Sequence, residues 1–265
     1  MKSCRPLWTA WPSFYCPLTV DIARDDLMPH LLEVKDLEVK FGLRFGDLTA
    51  INGISFTLDR GERMGLVGES GAGKSVTGFA LINLISRPGF ISGGRVLFNG
   101  RDLTSLSAEA IRDIRGNHMS MIFQDPMMTL NPVLTIGTQM VETLLAHRRI
   151  RRSEAERIAF DKLRKVQIPA PEKRLSQYPH EFSGGMRQRI VIAIALLTDP
   201  EIIIADEPTT ALDVTIQAEI MDLLQQLCES EQTGLILITH DLGVVSQVTE
   251  KIAVMYAGKI VESGL

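Results

Sequence analysis

Apolar and polar positions change their rhythm several times along this chain, and the changes divide it. Residues 1–30 are rich in Pro and Trp without any period, which predicts a poorly structured N-terminal extension outside the core, with Met28 as an alternative start. From "LLEVKDLEVKF" onward, Leu32, Val34, Leu37, Val39 and Phe41 alternate with polar residues as in a half-buried strand. "LTAINGISFTL" continues as strand structure, and "RMGLV" is a short apolar strand running into a glycine loop and then a helix over "SVTGFALINLI". After "GGRVLFNG" the period becomes helical. Ile136, Met140, Leu144 and Leu145 fall on one face of "TIGTQMVETLLAHR", and Ser153 with Glu156 has the spacing of a capping box for the next helix. From Ser183 the chain alternates again: helix "GGMRQRIVIAIALL", strand "EIIIAD", helix "VTIQAEIMDLLQQLCES", strand "GLILIT" and strand "KIAVMY". Unbroken apolar strands separated by helices imply a mostly parallel sheet covered on both faces, with the helical middle as an inserted lobe.

The chemistry falls where those strands end. "GESGAGKS", Gly68 to Ser75, fits G-x-x-x-x-G-K-[ST] between a predicted strand and helix. Gly68, Glu69, Ser70, Gly71, Ala72, Gly73, Lys74, Ser75 and Val76 would then form a nucleotide-binding cradle of backbone N–H groups at a helix N-terminus. Lys74 would neutralise β- and γ-phosphate oxygens, and the Ser75 hydroxyl would ligate Mg2+ beside ATP. The alternative is a glycine-rich turn with a solvated lysine. "EIIIADEP" ends an apolar strand in two carboxylates, Asp206 suited to the metal shell and Glu207 to accepting a proton from water; an acidic pair at a strand end also serves to cap the next helix. His240 follows "GLILIT" on the same sheet edge, placed to donate to a γ-phosphate or to orient Glu207. Gln124, after the short apolar strand in "MIFQDP", can reach the metal or the water, or merely cap a loop. The histidines at 30, 118, 147 and 180 have no such setting.

A second glycine-rich helix start, "FSGGMRQR", lacks a lysine. One nucleotide does not need two cradles, so Ser183, Gly184 and Gly185 are expected to complete the site of another subunit across a dimer interface, Ser183 and Gly185 touching the γ-phosphate.

Composition narrows the class. The 265 residues suffice for a full core, and 45% hydrophobic with 23% charged residues is ordinary globular composition. A net charge of −4 does not favour nucleic acid as a partner. Cys4, Cys16 and Cys228 have no metal or disulfide spacing, which points to a reducing compartment. No run reaches the roughly 18 apolar residues of a membrane helix, and prolines 6, 12 and 17 break the apolar N-terminal stretch, so a membrane role is expected to be peripheral.

Together these motifs, from about residue 31 to the end, resemble the nucleotide-binding subunit of ATP-binding cassette (ABC) transporters. The resemblance implies an α/β fold: a P-loop NTPase core with a mostly parallel sheet, an antiparallel β subdomain and an inserted helical subdomain at about 106–182, all within 31–265. It names the glycine loop Walker A, "IIIADE" Walker B, Gln124 the Q-loop, "FSGGM" the signature, "ALD" at 211–213 the D-loop and His240 the switch histidine. The signature departs from the general LSGGQ at Phe182 and Met186. An aromatic side chain stacked on adenine is implied, with Phe41 or Phe45 as candidates.

"QDPMMTLNPVLTIGTQ", "FSGGMRQR" and "DEPTTALDVTIQAEI" are similar to the oligopeptide, dipeptide and nickel importer group. That likeness implies a peptide importer ATPase, with nickel as the alternative cargo. It would sit peripherally on the cytoplasmic face of the bacterial inner membrane. Its cassette partner would be a paralogous ATPase or a second copy. Two transmembrane permease subunits would seat on residues 124–180, fed indirectly by an extracytoplasmic solute-binding protein. Members of the group continue past "GKIVESG" with a cysteine-containing extension, so an inactive truncated cassette is a further expectation. A soluble ABC ATPase of non-transport function would carry a long coiled coil or a second cassette, and neither pattern is present.

Overall fold

Runs such as "IIIAD" and "GLILIT" carry no polar face, and a strand of that kind is stable only with both faces covered. The computed structural model describes residues 30–210 and 212–265, and it buries every residue of both runs. The extension expected over residues 1–30 lies outside the described residues, His30 excepted, as does Ala211 of the expected D-loop. In chain order the strands are β1 (Leu32–Leu43), β2 (Gly46–Leu58), β3 (Arg63–Gly68), β4 (Gly89–Phe98), β5 (Arg101–Asp102), β6 (Met119–Ile122), β7 (Ile202–Asp206), β8 (Gly234–Thr239), β9 (Lys251–Tyr256) and β10 (Lys259–Gly264). The helices are α1 (Lys74–Leu81), α2 (Ala108–Ile114), α3 (Pro126–Thr129), α4 (Ile136–His147), α5 (Arg152–Lys165), α6 (Pro171–Arg174), α7 (Gly184–Ala195), α8 (Val214–Glu231) and α9 (Leu242–Val248).

The strands form two sheets. One has the order β10-β9-β3-β8-β7-β6, parallel throughout except where β10 turns back on β9. The other, β2-β1-β4-β5, is antiparallel. On β1 the buried residues Leu32 and Val34 are out of phase with Leu37 and Val39, and strict alternation would turn one pair to solvent. A register shift between Val34 and Leu37, with Asp36 at φ 47°, absorbs the odd residue and keeps all four inside.

Each central strand feeds two cores. Ile202, Ile204, Ile236 and Ile238 pack with the antiparallel sheet and with Ala80 and Leu81 of α1. Ile203, Ala205, Leu235 and Leu237 point the other way, into a cluster built from α4, α5, α7 and α8. The helical lobe is shorter than the 106–182 expected. β6 pairs with β7 inside the parallel sheet, and Ile111 and Ile114 of α2 belong to the core beneath the antiparallel sheet, so the lobe begins at α3. Ile136, Met140 and Leu144 line its core as expected, but Leu145 is 40% exposed. The expected Ser153–Glu156 capping box is absent: α5 starts at Arg152 after the N-cap Arg151, and Glu156 instead pairs with Arg152 at 3.1 Å.

α9 crosses β3 closely enough that a Cβ at Gly65 would overlap the Val245 side chain and meet Thr249 Oγ1 at 3.2 Å. Gly65→Ala is therefore expected to destabilise the chain by about 1–3 kcal/mol in urea unfolding followed by circular dichroism. Combined with Val245→Ala, it should cost less than the sum of the two single changes.

Candidate active site

Parallel pairing sets β3, β8, β7 and β6 side by side with their C-terminal ends on one edge, and the first core of the site follows from that register. Val67 pairs with Thr239, and Asp206 with Ile238, so the glycine loop, His240, the acidic pair and Gln124 leave the sheet together. Except for the buried Asp206, they line a cavity of about 820 Å³, with Gly68, Glu69, Ser70, Gly71, Gly73, Lys74, Ser75, Val76, Gln124, Glu207 and His240 on its wall. Ala50, Val67, Leu242 and Val254 complete it. Those four apolar residues had no motif to mark them.

The loop is shaped to receive an anion. Gly73 takes φ 101°, and a Cβ there would lie 2.8 Å from the Ala50 carbonyl oxygen, so only glycine permits the turn into α1. α1 begins without a side-chain cap, which leaves the N–H groups of its first turn facing the cavity. Lys74 is 6% exposed, and its ammonium donates to the carbonyls of Gly68 (2.8 Å) and Glu69 (3.0 Å). Among the described residues no carboxylate lies within ion-pair distance of it. A buried cation satisfied only by neutral oxygens favours an incoming anion. Ala72 differs from its neighbours: it is buried, and its N–H donates to Glu69 O at 3.1 Å, so it shapes the loop and offers no amide.

Opposite the loop, Ser75 Oγ donates to Asp206 Oδ1 at 2.9 Å. Burial raises the Asp206 carboxyl above its ordinary value and Glu207 adds to the rise, while the Ser75 hydrogen bond and Lys74 oppose it. Hydroxyl, carboxylate and the oxygen of the Gln124 amide make a hard donor set that suits Mg2+. Among the described residues no three His, Cys, Asp or Glu side chains converge as a metal cage.

Glu207 stands in the left-handed region at φ 44°, its N–H bonded to Ile238 O at 2.8 Å. Its Oε1 lies 3.1 Å from His240 Nδ1, and its Oε2 accepts from Gln124 Nε2 and Thr210 Oγ1, both at 3.0 Å. Burial works to raise this carboxyl too, but hydrogen bonds from His240 and Thr210 and the charges of His240 and Lys74 outweigh it and hold it below the ordinary value. Of the two roles open to His240, this geometry favours orienting Glu207. Thr210 belongs to none of the motifs, although a hydroxyl three residues after a carboxylate at a turn is a readable signal.

The other expected residues lie elsewhere. Phe41 is half-buried on the antiparallel sheet, close to Gly89, and Phe45 is fully exposed at the β1–β2 turn; neither lines the cavity, because the sheet's packing holds one and the turn projects the other. Ser183 caps α7 by accepting from Met186 N at 3.4 Å, and it and Gly184 face solvent, outside the chain's own cavity. His30, His118 and His180 serve contacts with Asp59, Glu201 and Tyr178.

A family profile described as "ABC transporter" matches residues 51–210. The oligopeptide transport ATP-binding protein OppD of Bacillus subtilis is 53% identical over 235 residues, covering 88% of this chain and 66% of that protein. The dipeptide transport ATP-binding protein DppD of the same organism is 51% identical over 240 residues, covering 89% and 71%. The chain thus spans about two thirds of the length of these relatives. The dimeric structure of a post-hydrolysis state of an ATP-binding cassette bound to ADP and Pi is similar with a TM-score of 0.78 at 26% identity, over 88% of this chain and 97% of that one.

The raised Asp206 carboxyl carries a stability consequence. Its folded form holds the proton more tightly than the unfolded chain, so its contribution is most favourable below the unfolded value, about 3.9, and is lost as pH rises through the folded value. Asp206→Asn, which keeps an acceptor for Ser75, is expected to melt no lower than the unaltered chain at pH 7.5 without nucleotide, and to lose any advantage towards pH 4. Thermal melts across that range check this.

Proposed function

The chain belongs to the ABC transporter family, and from that premise we propose that it is the ATP-hydrolysing, energy-coupling subunit of a peptide importer. The observation that carries the reading is the convergence on one cavity of a buried, anion-seeking Lys74 and a carboxylate, Glu207, held ionised by its donors.

In this reading the uncapped first turn of α1 and Lys74 hold the phosphates of ATP. Ser75, Asp206 and the Gln124 amide oxygen would hold Mg2+, which would neutralise phosphate charge. Glu207 takes a proton from the water as its oxygen bonds to the γ-phosphorus and the bond to the β–γ bridging oxygen breaks. His240 keeps the carboxylate turned towards that water. The solvent-facing Ser183 and Gly184, with the half-buried Gly185, of a second cassette, paralogous or identical, complete the phosphate shell across the dimer. The lobe, reached through Gln124, transmits closure to two transmembrane permease subunits that receive solute from an extracytoplasmic binding protein.

The name of the first relative, an oligopeptide transport protein at 53% identity, supports peptide as the cargo. The relatives' names, as ATP-binding proteins of transport systems, support peripheral attachment at the cytoplasmic face of the inner membrane; no helix among the described residues is long and apolar enough to cross a membrane.

Three measurements test this. Glu207→Gln is expected to keep ATP affinity, lose at least ~100-fold in turnover and accumulate as an ATP-bound dimer on gel filtration; hydrolysis at the normal rate removes Glu207 from its role. Ser183→Ala is expected to slow turnover with the cradle untouched, and unchanged rates count against a shared site. Uptake of labelled dipeptide, and separately of labelled nickel, in a strain lacking this chain should be restored for the dipeptide by the unaltered chain and not by Glu207→Gln. Rescue of nickel alone reassigns the cargo.

A further inference from the structure

We propose that Thr210 is a positioning residue for hydrolysis: its hydroxyl holds Glu207 Oε2 so that the carboxylate keeps one orientation towards water while the surrounding loops move. The proposal rests on the reading of Glu207 as the base.

A glutamate side chain has several free torsions, and a hydrogen bond to one oxygen leaves the carboxylate free to swing about that anchor. Anchoring both oxygens fixes its plane. Here Oε1 is anchored by His240 and Oε2 by two donors, Gln124 and Thr210, each at 3.0 Å.

The donors differ in what carries them. Gln124 leaves β6 and is followed at once by Asp125, the N-cap of α3, so its position is tied to the lobe. His240 follows β8, with a side chain 67% exposed. Thr210 alone belongs to Glu207's own turn: its N–H donates to Glu207 O at 3.2 Å, closing the turn that brings the hydroxyl back over the carboxylate.

The turn is pinned on its far side as well. Thr209 is 8% exposed; its hydroxyl accepts from Gln217 Nε2 at 3.0 Å, and its carbonyl accepts from Leu212 N at 3.3 Å. The turn that carries Thr210 is therefore held by α8 and by the sheet, and not through the loop that carries Gln124 into the lobe. If Gln124 shifts with the lobe or turns towards the metal, Thr210 is the donor that remains on Oε2.

The test compares Thr210→Val, which keeps the shape and removes the hydroxyl, with Thr210→Ser, which restores it, in the complete transporter. Thr210→Val is expected to lower kcat about 10- to 100-fold with KM for ATP within about twofold, as misorientation of a reacting group does. Thr210→Ser is expected to recover at least about half of kcat. Thr210 is exposed, so both variants should unfold at the urea midpoint of the unaltered chain, which separates misorientation from misfolding. A Thr210→Val kcat within about twofold of normal, a loss carried by KM, or a serine variant as slow as the valine one overturns the proposal. Glu207→Gln is assayed alongside. Normal turnover there defeats the base assignment and this inference with it, whereas an inactive Glu207→Gln beside a normal Thr210→Val defeats this inference alone.

Discussion

Parallel pairing of β3, β8, β7 and β6 is the constraint on which the site depends. Parallel strands share a direction, so whatever follows their C-termini gathers along one edge. The glycine loop, His240, the acidic pair and Gln124 are separated by up to 172 positions in number but by one strand spacing at a time in space. A single-residue slip of β7 would exchange Ile203 for Ile204 between the two cores and withdraw Asp206 from Ser75. The hydrophobic alternation that stabilises the sheet thus also sets the register of the chemistry.

Within that frame the site is built from charges left partly unanswered. Among the described residues Lys74 is buried with only carbonyl oxygens for partners, and Asp206 is buried with a hydroxyl. Both arrangements oppose stability in the absence of ligand, and in the proposed reading a phosphate and a cation would relieve them. Glu207 is treated differently. It is gripped through both oxygens and kept ionised, the condition required of a proton acceptor at neutral pH. Two neighbouring carboxylates of one strand end are thereby shifted in opposite directions by their surroundings.

The two cores assign separate tasks to the sheet's faces. One packs the antiparallel sheet and α1 behind the cradle, and the other joins the lobe helices α4 and α5 to α7 and α8. α7 begins at the exposed Ser183, and α8 follows the turn that holds Thr210 over Glu207. The lobe therefore reaches the acidic pair by two routes, through Gln124 directly and through the shared core, and this is the physical basis for expecting movement of one to be felt by the other.

The sequence by itself determined most of the elements and which side chains stand at the C-terminal edge of the parallel sheet. The glycine loop, the carboxylates after "IIIA", the histidine after "GLILIT" and the strand–helix alternation were legible because local spacing and hydrophobic period report local structure. It misjudged the lobe boundary, because the short strand β6 and α2 are placed by partners far away in the chain, and the Ser153 cap, because α5 starts one residue earlier than its best capping residue. Phe41 and Phe45, the aromatic candidates the resemblance offered, are positioned by the β1–β4 pairing and by the β1–β2 turn, which no local pattern encodes. Only the tertiary structure decided which donor meets which oxygen: that Lys74 meets the Gly68 and Glu69 carbonyls, that Asp206 is met by Ser75, and that Thr210 shares Glu207 with Gln124 and His240. Those are distances between segments remote in sequence, set by the register of a buried sheet, and no local pattern encodes them.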